Sequence, residues 1–185
     1  LVNIPGTGCD GGDDLEIIGS METVEPGEEV CVKVSVQNFD SILSMQYAHE
    51  WDSDVLEFVE VRNFNLPFLS AGDFNLNSSS GRLRMSWNDD AGAGVSVSDG
   101  TMIYEICFNA VGSIGEMSEV QLTDDPPVAV EIIQIKGGSD QSIIPNFTHG
   151  KVTIEGQFDG PIITAESGSA ATGEEYCMDI TVQNF

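Results

Sequence analysis

Four cysteines and two histidines carry most of the side-chain chemistry open to this 185-residue chain. Cys31 and Cys107 each sit inside a run of alternating apolar residues, EEVCVKVSV and MIYEICFNA. Alternation of period two marks a strand with one buried face. The two sulfurs can therefore meet across neighbouring strands or between sheets as a disulfide, and the alternative is a pair of buried free thiols. Cys9 and Cys177 lie towards the two ends and are read as inter-module or intermolecular links. Cys177 would pair with a cysteine further along, or with Cys9 of a neighbouring molecule. None of the four has CxxC or Cys/His spacing suited to zinc, and His49 and His149 stand apart from them. There is no Gly-x-Ser-x-Gly elbow, HExxH motif or phosphate-cradling loop. His49 and Glu50, as neighbours on a strand, would point to opposite faces. Catalysis is not expected.

The acids set further bounds. With 31 Asp and Glu against six Lys and Arg, the formal charge is −25, which repels a phosphate backbone before contact. Nucleic acid is excluded as a partner. No apolar run is long enough to span a bilayer, so membrane insertion is not expected either, and the first residue is Leu rather than Met, as in a chain whose start was processed or excised. Oxygen-rich loops outside cells bind calcium at modest affinity. The candidates are Asp10, Asp13 and Asp14 in CDGGDD, with Asp89 and Asp90 in NDDAG as a second group; neither has EF-hand spacing. All six basic residues lie between Lys33 and Lys151, leaving both ends acidic, and a cation at a module junction would relieve their repulsion. Covalent glycans have three candidate acceptors: Asn77 and Asn146 in Asn-x-Ser/Thr sequons, and Ser41 in Asp40-Ser41-Ile42, which resembles a pattern used by some bacterial O-glycosylation systems.

These residues are placed by a chain that repeats itself. Gly27–Phe39 reads GEEVCVKVSVQNF and Gly173–Phe185 reads GEEYCMDITVQNF, identical at eight positions with an offset of 146. Val30/Tyr176, Val32/Met178, Val34/Ile180 and Ser35/Thr181 keep an apolar or β-favouring character, so both copies read as the same strand. The division that follows is a linker over residues 1–13, a complete module over 14–155, and a linker plus the start of a second repeat over 156–185, with QFDGPIIT as the connecting stretch. Two arrangements fit. Either the chain is a window of a tandem array, or the second copy is a strand donated to a neighbour, with Tyr176, Met178, Ile180 and Val182 as its alternating assembly side.

Short β-favouring runs recur between Gly, Asn, Asp, Ser and Pro clusters. Strands are predicted near Leu15–Ile18, Glu29–Gln37, Ser44–Trp51, Leu56–Arg62, Arg82–Trp87, Met102–Asn109, Glu119–Leu122, Ala129–Ile135 and Lys151–Ile154. No helical period is sustained. Nine short strands imply an all-β, two-layer sandwich, with Val32, Val34 and Val36 on one side of their strand and Trp51 and Trp87 in its core or rim.

The order of motifs resembles the cohesin modules of bacterial extracellular scaffolds. Glu25-Pro26-Gly27 leading into Val32-Lys33-Val34-Ser35-Val36 looks like the family's Pro-Gly-acid lead into a strand. Trp51-Asp52-Ser53-Asp54-Val55-Leu56 is similar to its aromatic-Asp-x-x-x-Leu segment. Trp87-Asn88-Asp89-Asp90-Ala91-Gly92, Asp99-Gly100-Thr101 and Gly150-Lys151-Val152-Thr153-Ile154 match its acidic loop, a later strand entrance and its closing strand. The resemblance covers residues 15–154. It implies a nine-strand jelly-roll sandwich with a non-catalytic role in protein association at a bacterial cell surface or outside the cell. It also implies a dockerin-like partner on one sheet face, at Ser44 and Gln46 of the third strand with Asp89 and Gly92 of the acidic loop. Ser44 and Gln46 replace the family's usual Asn and Asp there. The leading expectation is therefore a structural module assembling head to tail with copies of itself or neighbouring modules into a fibre or surface appendage. A dockerin-type receptor is the alternative, and a calcium-dependent, glycan-binding adhesion module is the third reading.

Overall fold

Along Glu29–Gln37 every second side chain is buried: Val30, Val32, Val34 and Val36. The residues between them are half-buried or exposed. β-branched residues at period two suit a pleated strand with one dry face. The computed structural model describes residues 14–77, 81–124, 129–156, 160 and 162–183. In chain order the strands up to Glu155 are β1 (Glu16–Gly19), β2 (Met21–Val24), β3 (Glu29–Gln37), β4 (Ile42–Glu50), β5 (Leu56–Arg62), β6 (Phe74–Asn77) and β7 (Arg82–Asn88). They continue with β8 (Thr101–Ala110), β9 (Met117–Thr123), β10 (Glu131–Lys136), β11 (Ser139–Ile143), β12 (Asn146–Thr148) and β13 (Gly150–Ile154). All nine strands expected from the sequence are among them. β2, β6, β11 and β12 are additional short segments.

The strands form two sheets of a jelly-roll sandwich. One has the order β12-β1-β3-β8-β5; the other runs β11-β10-β4-β9-β13-β2, with β7 on the other edge of β4 and β6 beyond β7. Both strand pairs β1/β2 and β12/β13 leave one sheet and enter the other within a residue or two, and they do so side by side, pairing in parallel. The crossing is tight: a Cβ on Gly19 would run into the backbone of Gly150, so glycine is required there. Between the sheets lies the core, with Phe39, Tyr47, Leu56, Met85, Trp87, Ile106 and Phe108 at its centre. Each buried side chain of this size contributes roughly 1.5–3 kcal/mol. Trp51 and Trp87 both belong to the core, their indole N–H groups donating to the carbonyls of Leu56 (3.0 Å) and Pro67 (2.8 Å). No helix among the described residues is long and apolar enough to cross a membrane.

Cys31 and Cys107 are directly opposite in the β3–β8 ladder and are joined as a disulfide on the outer face of the smaller sheet. Arg62 stands beside it, its guanidinium 3.0 Å from the Cys31 Sγ and 3.1, 3.3 and 3.6 Å from carboxylate oxygens of Glu29, Glu60 and Glu105.

From Gly156 onwards the chain forms a second unit. It contains β14 (Ile162–Ala165) and β15 (Ile180–Gln183), paired antiparallel. The expectation that Gln157–Thr164 is a plain linker is corrected at its end, because Ile162–Thr164 lies in a strand whose backbone groups find partners in β15. The expected assembly strand is also shorter than its apolar alternation implied. Ile180 and Val182 lie in β15, whereas Tyr176 and Met178 precede it outside any strand. All four are exposed.

Candidate functional site

β4 divides its side chains between the core and the outward face of the larger sheet. Met45, Tyr47 and His49 point inward and are buried; Ser44, Gln46 and Glu50 point outward and are half-buried. β7 does the same, with Leu83, Met85 and Trp87 inward and Arg82, Arg84, Ser86 and Asn88 outward. The ladder places Ser44 opposite Asn88, Gln46 opposite Ser86, Ala48 opposite Arg84 and Glu50 opposite Arg82. Arg82 and Glu50 form an ion pair of 2.7 Å. On the other edge of β4, Thr123 and Gln121 of β9 face Ala48 and Glu50, and Glu131 and Ile133 of β10 face Gln46 and Ser44. The result is a surface of hydroxyls, amides, two guanidinium groups, the carboxylates of Glu50 and Glu131, and the side chain of Ile133. It ends in a shallow groove of about 390 Å³ whose walls include Glu50, Asp52 and Glu119.

Such a surface can exchange hydrogen bonds with a flat or helical partner. It brings no nucleophile to a base and encloses no substrate. The contribution of β7 escaped the sequence reading, although the signal was there: R-L-R-M-S-W-N alternates, so Arg82, Arg84, Ser86 and Asn88 had to share the face opposite Leu83, Met85 and Trp87.

Of the residues read as partner-binding, Ser44 and Gln46 lie on this face, and Gln46 Nε2 makes a long contact of 3.4 Å with the carbonyl of Ala129. Asp89 directly follows Asn88 at the end of β7. Its carboxylate is turned into its own loop and accepts from the backbone N–H groups of Ala91 (3.1 Å), Ala93 (3.0 Å) and Gly94 (2.9 Å). Its own N–H donates to Leu43. Gly92 serves the same loop, holding a left-handed backbone with φ of +64°. Asp89 is thus ringed by backbone N–H donors. Asp89→Ala leaves those donors without an acceptor. It is expected to lower stability by about 2–3 kcal/mol in urea unfolding.

The other candidates are scattered. Asp14 is exposed at the start of the described residues, its carbonyl accepting from Asn38; Cys9, Asp10 and Asp13 lie outside them. Cys177 is a free, exposed thiol. Asn146 is exposed on the edge strand β12. Asn77 ends β6, and the rest of its sequon lies outside the described residues. Ser41 sits half-buried in the β3–β4 turn, its hydroxyl donating to Asp40 at 3.3 Å. Among the described residues, the one group offering three clustered metal-ligand atoms is Glu29, Cys31 and Cys107. Its two sulfurs are bonded to each other, so it presents no thiolate.

His49, expected to stand isolated, is part of a buried polar chain. Its Nε2 is 2.7 Å from the Tyr104 hydroxyl, which is 2.7 Å from that of Tyr47. Burial lowers the imidazole pKa from 6.5 to about 3, and raises both tyrosines above their ordinary value. His49 Nδ1 has no hydrogen-bond partner.

The family model for the cohesin domain matches residues 17–154. No curated protein matches the sequence significantly. Among solved structures, the seventh ScaB type I cohesin of Pseudobacteroides cellulosolvens is similar, with a TM-score of 0.62 at 17% identity, covering 88% of this chain and 98% of that one. A type I cohesin–dockerin complex of Clostridium thermocellum gives a TM-score of 0.64 at 18% identity, with 76% and 99% covered. A non-cellulosomal cohesin of the archaeon Archaeoglobus fulgidus gives 0.59 at 19% identity, with 79% and 94% covered.

Proposed function

The chain belongs to the cohesin domain family, whose members are non-catalytic binding modules, and from that premise we propose that its first module receives a dockerin-like partner on the outward face of β4 and β7, as part of an extracellular scaffold. The observation that carries this reading is the row of short polar side chains, Ser44 and Gln46 opposite Asn88 and Ser86. Short side chains let a partner approach the sheet closely, and the two arginines beside them are rare positive charges on a chain of formal charge −25. The disulfide supports an oxidising, extracellular setting.

The test is titration calorimetry of the protein against a panel of dockerin modules. Ser86 is exposed, so Ser86→Trp blocks the face without disturbing the core. It is expected to weaken binding by about 100-fold or more, the scale of an interface hot spot, at an unchanged melting temperature. Undiminished binding by that variant would remove the face from the proposal.

A second reading, a building block joined in series to further modules, is supported by a different observation. Within the segment repeated at an offset of 146 in the sequence, Ile180–Gln183 forms a paired strand in the second unit. The two readings are compatible, since a scaffold presents receptors in series.

A further inference from the structure

Among the described residues, four other than glycine hold a left-handed backbone: Asn38, Ser41, Asn63 and Phe68. The first three engage polar side chains there. Asn38 Nδ2 donates to the Asp14 carbonyl at 3.0 Å, the Ser41 hydroxyl to Asp40 at 3.3 Å, and Asn63 Nδ2 to Glu105 at 2.7 Å. Phe68, with φ of +64°, has only a phenyl ring. It is the third residue of the turn Leu66-Pro67-Phe68-Leu69, closed by the Leu69 N–H donating to the Leu66 carbonyl at 3.3 Å. Proline second and a positive φ third is the pattern of a type II turn, whose third position calls for glycine or asparagine. A Cβ in that conformation crowds the following carbonyl oxygen. Burial does not offset the cost. Leu66 and Leu69 are buried, and Phe64 and Phe74 pack against the core, but Phe68 is 56% exposed.

The turn is held before, within and after. Asn65 donates its N–H to the Ile103 carbonyl (2.9 Å) and its Nδ2 to that of Met102 (3.0 Å). The Pro67 carbonyl accepts from the Trp87 indole. Ser70 then caps the short 3₁₀ helix Ala71–Asp73, its N–H donating to the Asp73 carboxylate at 2.8 Å. That helix leads into β6, whose Phe74 lies opposite Met85 of β7. Gly72 and Asp73 share a cleft of about 290 Å³ with Arg84 and Ser86 of the outward face. Trp87 stands between Ser86 and Asn88 on β7. The turn is therefore fastened at the margin of that face, at the end marked by Ser86 and Asn88.

Resting on the reading of that face as the partner's landing place, we propose that Phe68 is an aromatic anchor for the same partner, its ring entering a recess lined by aliphatic side chains beside the partner's polar contacts. Strained backbone of this kind persists at sites that bind, where the surrounding structure holds it in place. Aromatic side chains are enriched at the centres of protein interfaces. A ring on a turn already fixed by its neighbours also loses little freedom on binding. The strands supply hydrogen bonds through Ser44, Gln46, Ser86 and Asn88, and Phe68 adds an apolar contact that those four cannot make. A partner with a charged side chain in place of the aliphatic recess would have that charge desolvated against the ring and be rejected.

The test compares Phe68→Ala, Phe68→Gly and Phe68→Tyr in the 185-residue protein, by urea unfolding and by calorimetry against the tightest-binding module of the dockerin panel. Alanine removes the ring and keeps the Cβ; glycine removes both. Each is expected to weaken binding about tenfold or more, and tyrosine, which keeps the ring, to lose less than either. The glycine variant should also have a folding equilibrium constant about threefold above that of the alanine variant, because alanine alone of the two retains the crowded Cβ. Undiminished binding by the alanine and glycine variants overturns the proposal, and so does a glycine variant no more stable than the alanine one. The two readings fail separately. Binding lost in Ser86→Trp but not in Phe68→Ala keeps the face and removes the anchor; binding lost in Phe68→Ala but not in Ser86→Trp keeps the anchor and removes the face.

Discussion

Serine at both Cys31 and Cys107 is expected to lower the unfolding free energy by about 4 kcal/mol, measured by urea denaturation at neutral pH. The two residues are 76 apart in sequence, and closing a loop of that length removes chain entropy from the unfolded state on this scale. The same substitutions remove one link between β3 and β8, but the ladder between those strands runs the length of β3 and does not need the sulfurs to stay paired. Loss of the neighbouring charge cluster is a smaller effect. Arg62, Glu29 and Glu60 are well exposed, and exposed ion pairs contribute about 0–1 kcal/mol. Against a typical stability of 5–15 kcal/mol, the cross-link is then a large share. Reduction of the unmodified protein should produce the same loss as the double substitution. A loss under about 1 kcal/mol in both would mean that the unfolded chain is already compact around this loop, and that the entropic account is wrong.

The strands that were legible in the sequence are those whose alternation records a dry face. Val30, Val32, Val34 and Val36 declare β3, and Leu83, Met85 and Trp87 declare β7. The four short strands carry too little pattern. β2 begins one residue after β1 ends, because the chain changes sheets at Ser20, and β11 is Ser-Asp-Gln-Ser-Ile, held by its backbone ladder to β10 rather than by apolar side chains. At the candidate face, Ser44 and Gln46 could be read from a family resemblance, whereas the bonding of the Asp89 carboxylate could not. A carboxylate turned towards backbone N–H groups and one turned towards solvent have the same letter in the sequence, and only the loop's path distinguishes them. The repeat was legible as sequence.

The last expected effect begins from a residue whose surroundings were illegible for the same reason. Tyr47 and His49 share the inner face of β4, but Tyr104 arrives from β8, 55 residues beyond His49. In this site burial holds the imidazole neutral, and the charged ring would carry a proton on Nδ1, which has no acceptor. In the unfolded chain the same group takes up a proton near its ordinary value of 6.5, while in the folded protein it does so only near 3. Above pH 6.5 both states are neutral and His49 contributes no pH dependence. As pH falls from 6.5 towards 3 the unfolded state is progressively favoured, by ~5 kcal/mol once pH has passed about 3. Protonation of the many carboxylates acts in the opposite direction by relieving repulsion on a chain of formal charge −25, so the raw pH profile of the protein does not isolate the effect. A paired comparison does. His49→Gln cannot titrate and can still reach the Tyr104 hydroxyl; it should be less stable than the unmodified protein at pH 7, from imperfect packing, and should recover ~3 kcal/mol relative to it by pH 4. Parallel stability profiles for the two proteins between pH 7 and pH 4 would mean that His49 is protonated in the folded core, and that Nδ1 finds an acceptor when it is.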